Sequence, residues 1–135
     1  MNILYLMTIF SLLGINCSYG DYFAETNSLP SDVVLRQAIV GNWKLDSQEI
    51  KCNATYYSDG VFESKLTWAP TNFIKSWTYV AKWRIVHGIL LLIVTNSDGS
   101  KPREPIGNVD KYTIVSIGKQ TLIYTNESEK FIFHR

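Results

Sequence analysis

Residues 75–95 read KSWTYVAKWRIVHGILLLIVT. In its first half Trp77, Tyr79, Ala81, Trp83 and Ile85 fall at every second position, while Ser76, Thr78, Lys82 and Arg84 occupy positions between them. Successive side chains of a strand point to opposite faces, so this alternation describes a long strand with one face covered by a core. His87-Gly88 interrupts the pattern as a turn, and Ile89 to Thr95 is almost unbroken apolar sequence, as in a strand covered by its neighbours. A link this short between two strands makes an antiparallel hairpin.

The same reading extends in both directions. Toward the amino end, Asn42–Ser47 and Cys52–Ser58 read as strands, and Ser58-Asp59-Gly60 is a tight-turn signal. Val61–Trp68 follows, with Phe62, Leu66 and Trp68 on one face and Glu63, Lys65 and Thr67 on the other, and Pro70 ends it. Toward the carboxyl end, Val109–Ile117, Thr121–Asn126 and Lys130–Arg135 are separated by Gly118-Lys119 and Glu127-Ser128. Asn96–Gly107 carries Gly99, Pro102, Pro105 and Gly107 and reads as the longest loop, solvated by Lys101 and Arg103.

Eight strands without intervening helices predict an all-β, antiparallel meander that closes into an up-and-down barrel. A two-sheet sandwich is the competing architecture, with Trp68–Lys75 and Asn96–Gly107 as the connections long enough to cross between sheets. One short helix precedes the strands. Ser31 is its expected cap, Asp32 favours its positive end, and Val33, Val34, Ala38 and Ile39 are its expected apolar stripe before Gly41.

Upstream of that helix the composition changes. Residues 1–20 contain no Asp, Glu, Lys or Arg, and Ile3 to Ile15 are almost wholly apolar. The run is shorter than a membrane-spanning helix needs and is followed by small residues at Ser18 and Gly20, which predicts an export signal cleaved before Asp21. The lack of a basic residue at the amino end departs from the usual signal pattern, and a retained anchor is the alternative. Cys17 offers a third outcome, a lipid-carrying cysteine of bacterial lipoprotein type, although Gly14, Ile15 and Asn16 do not match the usual residues before one. With the signal cleaved, membrane attachment is expected only in that case.

The resulting plan is a signal over 1–20, a polar linker over 21–30 and one barrel domain over 31–135, exported to the periplasm or the medium. The 115 residues left after cleavage make a single core. Cys52 is then the sole cysteine, either a buried small apolar residue or a thiol able to pair between chains. Asn53-Ala54-Thr55 and Asn126-Glu127-Ser128 match the glycosylation pattern, which matters only in a eukaryotic secretory pathway.

Thirteen basic residues against twelve acidic give a net charge of +1, so the electrostatic footprint of a nucleic-acid binder is missing. The chemistry-bearing residues are sparse. His87 falls in a turn and His134 at a strand end, no Cys/His spacing suits zinc, and the acids, among them Glu49, Asp59, Asp98 and Asp110, fall near loops and strand ends where solvent is their default. The expectation is a monomeric, non-enzymatic protein without metal or cofactor.

Gly41-Asn42-Trp43-Lys44-Leu45 after a short helix, Ser58-Asp59-Gly60-Val61-Phe62 beyond it, and Trp83-Arg84-Ile85 before a turn and an apolar run resemble the small bacterial lipocalin-like domains over about residues 35–135. The resemblance implies a barrel whose floor is closed by Trp43 beneath a basic residue of the last strand, here Arg135, stacked on the indole and bonded to nearby carbonyls. A binding function follows, with a small apolar ligand lined by Tyr56, Phe62, Leu66, Trp68, Tyr79, Trp83 and Tyr124. The same side chains suit a solid interior, since 115 residues barely support both a cavity and a full core. The alternative is an exported scaffold that binds or inhibits a protein through its loops, chiefly Asn96–Gly107.

Overall fold

The computed structural model describes residues 29–69, 74–99 and 105–135. The expected signal, Cys17 and nearly all of the linker lie outside the described residues, as do the tips of the two long connections.

Helix α1 (Asp32–Ile39) precedes eight strands: β1 (Gly41–Asp46), β2 (Ile50–Tyr56), β3 (Val61–Trp68), β4 (Lys75–Val86), β5 (Ile89–Gly99), β6 (Val109–Ile117), β7 (Thr121–Thr125) and β8 (Lys130–His134). Each strand pairs antiparallel with the next, and β8 returns to β1, so the sheet is a closed up-and-down barrel rather than a sandwich. The seam is narrow. β1 pairs with β2 from Gly41↔Tyr56 to Asp46↔Lys51, whereas its register with β8 consists of Lys44↔His134.

One end of the barrel, the floor, carries α1, the 57–60, 87–88 and 118–120 turns and Arg135. The other, the mouth, carries the 47–49 and 126–129 turns and both long connections. At the floor α1 buries Leu35 and Ile39 and leaves Val33 and Val34 60% and 49% exposed. The expected stripe therefore holds at Ala38 and Ile39 and fails at Val33 and Val34, in whose place Leu35 is buried. Leu35 and Ile39, four apart with Ala38 beside them, face the barrel, because the helix is set by its contacts with the floor rather than by its own sequence. Ser31 occupies the cap position without a side-chain capping bond. Asp32 instead accepts hydrogen bonds from the backbone amides of His87 (2.7 Å) and Gly88 (2.9 Å).

That contact explains the β4–β5 turn. His87 and Gly88 both take positive φ, 52° and 73°, the mirror-image turn that matches strand twist, and φ above zero is unfavourable for a side chain such as histidine. The Asp32 carboxylate holds both amides in that conformation.

A second departure lies at the mouth. Asn96–Gly99 does not begin a loop; it extends β5, with Asn96 opposite Val80 and Gly99 opposite Trp77, past a bulge in which Thr95 is the extra residue. Thr95 Oγ1 donates to Val80 O there (3.1 Å). β5 leaves β6 after Ile93↔Val109, with Val94 still bonded to Gly107 and Asn108 through the backbone, and beyond Thr95 it is paired, among the described residues, with β4. β6 has its own bulge, with Val115 the extra residue between Ile114↔Tyr124 and Ser116↔Ile123.

Candidate functional site

The strand registers put one face of every strand inside the barrel, and burial along that face changes from floor to mouth. Trp43, Tyr56, Phe62, Ile85, Leu90, Ile114, Leu122 and Phe133 are buried, together with Leu35 and Ile39 of α1. Nearer the mouth burial is uneven: Cys52, Leu92 and Tyr124 are buried, whereas the inward residues Leu45, Leu66, Tyr79, Tyr112 and Phe131 pack against this core yet are only half-buried. Trp77, opposite Leu66 and in phase with Tyr79, is half-buried as well.

The floor is sealed by a latch. The Arg135 guanidinium carbon lies 4.2 Å from the Trp43 ring centroid, within cation–π range, and its Nη2 donates to Ala38 O and Val40 O at 2.9 Å each. Trp43 is fully buried and its Nε1 donates to Ile39 O at 2.7 Å. Arg36 ties α1 to the end of β4 through a 2.8 Å bond to Ile85 O. Gly41 has φ 129°, which favours glycine, and a Cβ there would stand 3.5 Å from the guanidinium. The Gly-x-Trp pattern thus has a local cause: the glycine sets the backbone beside the cation that covers the indole.

The residues read from sequence as ligand lining divide in two. Tyr56, Phe62, Trp83 and Tyr124 are buried and belong to the packed core. Tyr56 packs on Phe62 (ring centroids 4.7 Å apart) and edge-on to Trp83 (5.8 Å), and Trp83 Nε1 donates to Tyr57 O. Leu66 and Tyr79 lie on the half-buried wall above, while Trp68 stands at the rim with Lys75 Nζ 5.5 Å from its ring. Reading from sequence passed over Leu45, Tyr112 and Phe131, which share that wall. Tyr112, Tyr124 and Phe131 form one aromatic set, with Tyr112 4.8 Å from Tyr124 and edge-on to Phe131 at 5.8 Å.

Asp110 requires the largest correction. Solvent was its expected surrounding, yet it stands opposite Leu92 on the inner face of β6 and is half-buried. Its Oδ2 accepts a 2.6 Å hydrogen bond from Tyr79 Oη of β4, reaching past β5, and Asn108 Nδ2 donates to Oδ1 at 3.3 Å. The sequence signal was present: Asp110 is in phase with Tyr112 and Ile114.

Deeper in the barrel, polar atoms are few and neutral. Burial pushes the Cys52 thiol up to about 11 and holds the Tyr56 and Tyr124 phenols well above their ordinary range. Tyr56 Oη, beside Tyr124, Tyr112 and Cys52, lacks a well-formed hydrogen bond. Cys52 is free and buried. Among the described residues no group of three or more His, Cys, Asp or Glu side chains could hold a metal ion. A groove of about 420 Å³ lies outside the barrel between α1 and the β4–β5 turn, lined by Leu29, Pro30, Val33 and His87 among others. Its carboxylate, Asp32, is already taken up by the turn amides. Compared with known protein families the chain matches none, and it matches no curated protein.

Proposed function

We propose that this chain is an exported, non-enzymatic binding protein of the lipocalin-like kind, whose barrel takes a small, largely apolar ligand through its mouth. The observation that carries the reading is the burial gradient along the inner face. The floor side chains are fully packed beneath a helix and a latch, whereas Leu45, Leu66, Trp77, Tyr79, Tyr112 and Phe131 leave apolar and aromatic surface accessible at the other end. Apolar surface in contact with water is unfavourable by about 25 cal/mol per Å², so a wall of it inside a concave rim favours an apolar occupant. Since Tyr56, Phe62 and Trp83 fill the lower interior and Tyr124, opposite Phe131, is buried at the level of the wall, the ligand occupies only the space toward the rim and is short. The apolar run of residues 3–15 supports export.

The test uses tryptophan emission, because Trp77 and Trp68 stand in or beside the mouth. Titrating the purified protein with fatty acids, long-chain alcohols and small aromatic compounds shifts or quenches that emission saturably, and mass spectrometry of gently purified protein finds a co-purifying small molecule. Emission indifferent to the whole panel, with nothing co-purifying, sinks the reading.

A further inference from the structure

The mouth is not uniformly apolar: Lys75 stands at its rim, and a carboxylate stands on its inner wall. Asp110 is a carboxylate on the inner wall, and a carboxylate has about four acceptor sites. Two hydrogen bonds reach it, from Tyr79 Oη and Asn108 Nδ2, and among the described residues no basic side chain is paired with it. Tyr112, in phase with Asp110 two residues on, connects it to the aromatic set with Tyr124 and Phe131. Aromatic faces carry negative potential and attract cations. A second acceptor at the same end of the barrel is unanswered: Glu49 Oε2, in the 47–49 turn, is shut off from solvent without a hydrogen-bond partner.

We propose that Asp110, oriented by Tyr79 and followed on the same face of β6 by the Tyr112 ring, binds the protonated amine of a ligand whose body is apolar. The proposal rests on the reading of the barrel as an open cup and narrows it to one ligand class. The amine donates a charge-assisted hydrogen bond to an Asp110 oxygen not used by Tyr79, and the hydrocarbon or aromatic body lies against Leu45, Leu66 and Phe131. A fatty acid of equal length is disfavoured, because its carboxylate would meet Asp110 in a partly shielded site. The competing account makes the Tyr79 to Asp110 bond a strut that merely braces β4 against β6 where β5 has parted from β6.

Octylamine, octan-1-ol and octanoate, matched in chain length, separate these accounts by calorimetry on the full chain. The amine is expected to bind about tenfold or more tighter than the alcohol, the scale of one charge-assisted hydrogen bond, with octanoate weakest. Added salt should weaken the amine and leave the alcohol unchanged. Asp110→Asn should lose about tenfold for the amine while the alcohol moves by less than about twofold. An amine no tighter than the alcohol, or a variant weakened equally for both, makes Asp110 a strut and overturns the proposal while the cup reading stands. If Asp110→Asn does not fold, the three-ligand comparison on the natural chain decides alone. If none of the three binds and the wider panel is also silent, the cup reading fails and this proposal fails with it.

Discussion

The floor and the mouth of this barrel are built from similar side chains and differ in what covers them. At the floor, Trp43 lies under a guanidinium and bonds to Ile39 O, Leu35 and Ile39 fill the space beneath, and Asp32 holds the adjoining turn. At the mouth, Leu45, Leu66, Tyr112 and Phe131 point inward just as the floor residues do, but nothing among the described residues closes over them. The comparison separates apolar surface that is fully packed from apolar surface that is left partly exposed. Lining type alone does not distinguish the two; position along the barrel axis does.

The sharpest test of that contrast is Trp43→Ala. Removing a fully buried indole that also donates a hydrogen bond is expected to destabilise the protein by about 3–5 kcal/mol, measured by chemical denaturation, or to prevent folding. A loss below about 1 kcal/mol would mean that the floor is not the stable end. Arg135→Ala removes the stacked cation and both carbonyl bonds, and it should cost about 1–2 kcal/mol with the barrel intact by circular dichroism. Arg135→Lys should recover only part of this, since an ammonium does not reproduce the planar stack. Leu66→Ala at the mouth should cost about 1–2 kcal/mol, less than Trp43→Ala because the side chain is only partly buried, but weaken apolar ligands severalfold. A stability loss equal to that of Trp43→Ala would erase the distinction between the two ends.

The smallest effect is tied to pH. The amides of Gly88 and His87 bonded to Asp32 lower its pKa below the ordinary 3.8. The unfolded chain titrates at the ordinary value, so the stabilisation is present above that value and is lost as pH falls through the depressed folded one. Thermal melts of Asp32→Asn should lie below those of the natural chain at neutral pH and converge with them in acid. A gap that persists undiminished in strong acid would show that the turn does not depend on the charged carboxylate.

Much of the fold was legible because the barrel imposes a period of two on the chain. Val61–Trp68 and Lys75–Val86 alternate cleanly, and their limits coincide with β3 and β4. Asn96–Gly99 escaped notice because its polar, turn-forming residues satisfy every local rule for a loop. Only the pairing with Trp77–Val80 makes it strand, and a strand that projects beyond β6 has little need of apolar residues. The face of α1 was hidden for a similar reason: in eight residues, Val33 and Val34 mark an apolar side as well as Leu35 and Ile39 do, and the barrel decides between them. The site was half legible. Alternation identifies inward residues, Leu66 and Tyr79 among them, but it does not say that Tyr56 and Trp83 are sealed below while Tyr112 and Phe131 are open above. That depends on which end the helix covers. Asp110 was passed over because an acid near a strand end ordinarily faces water, although its phase with Tyr112 pointed inward.

Leu29 rests against the floor, its Cδ1 3.0 Å from where a Cβ on Gly88 would stand. Leu29 and Pro30 therefore lie at the end of the barrel opposite its mouth. The molecule thus has a polarity like that of a goblet: helix and latch form the foot, and the partly buried wall of Leu45, Leu66, Tyr112 and Phe131 forms the rim.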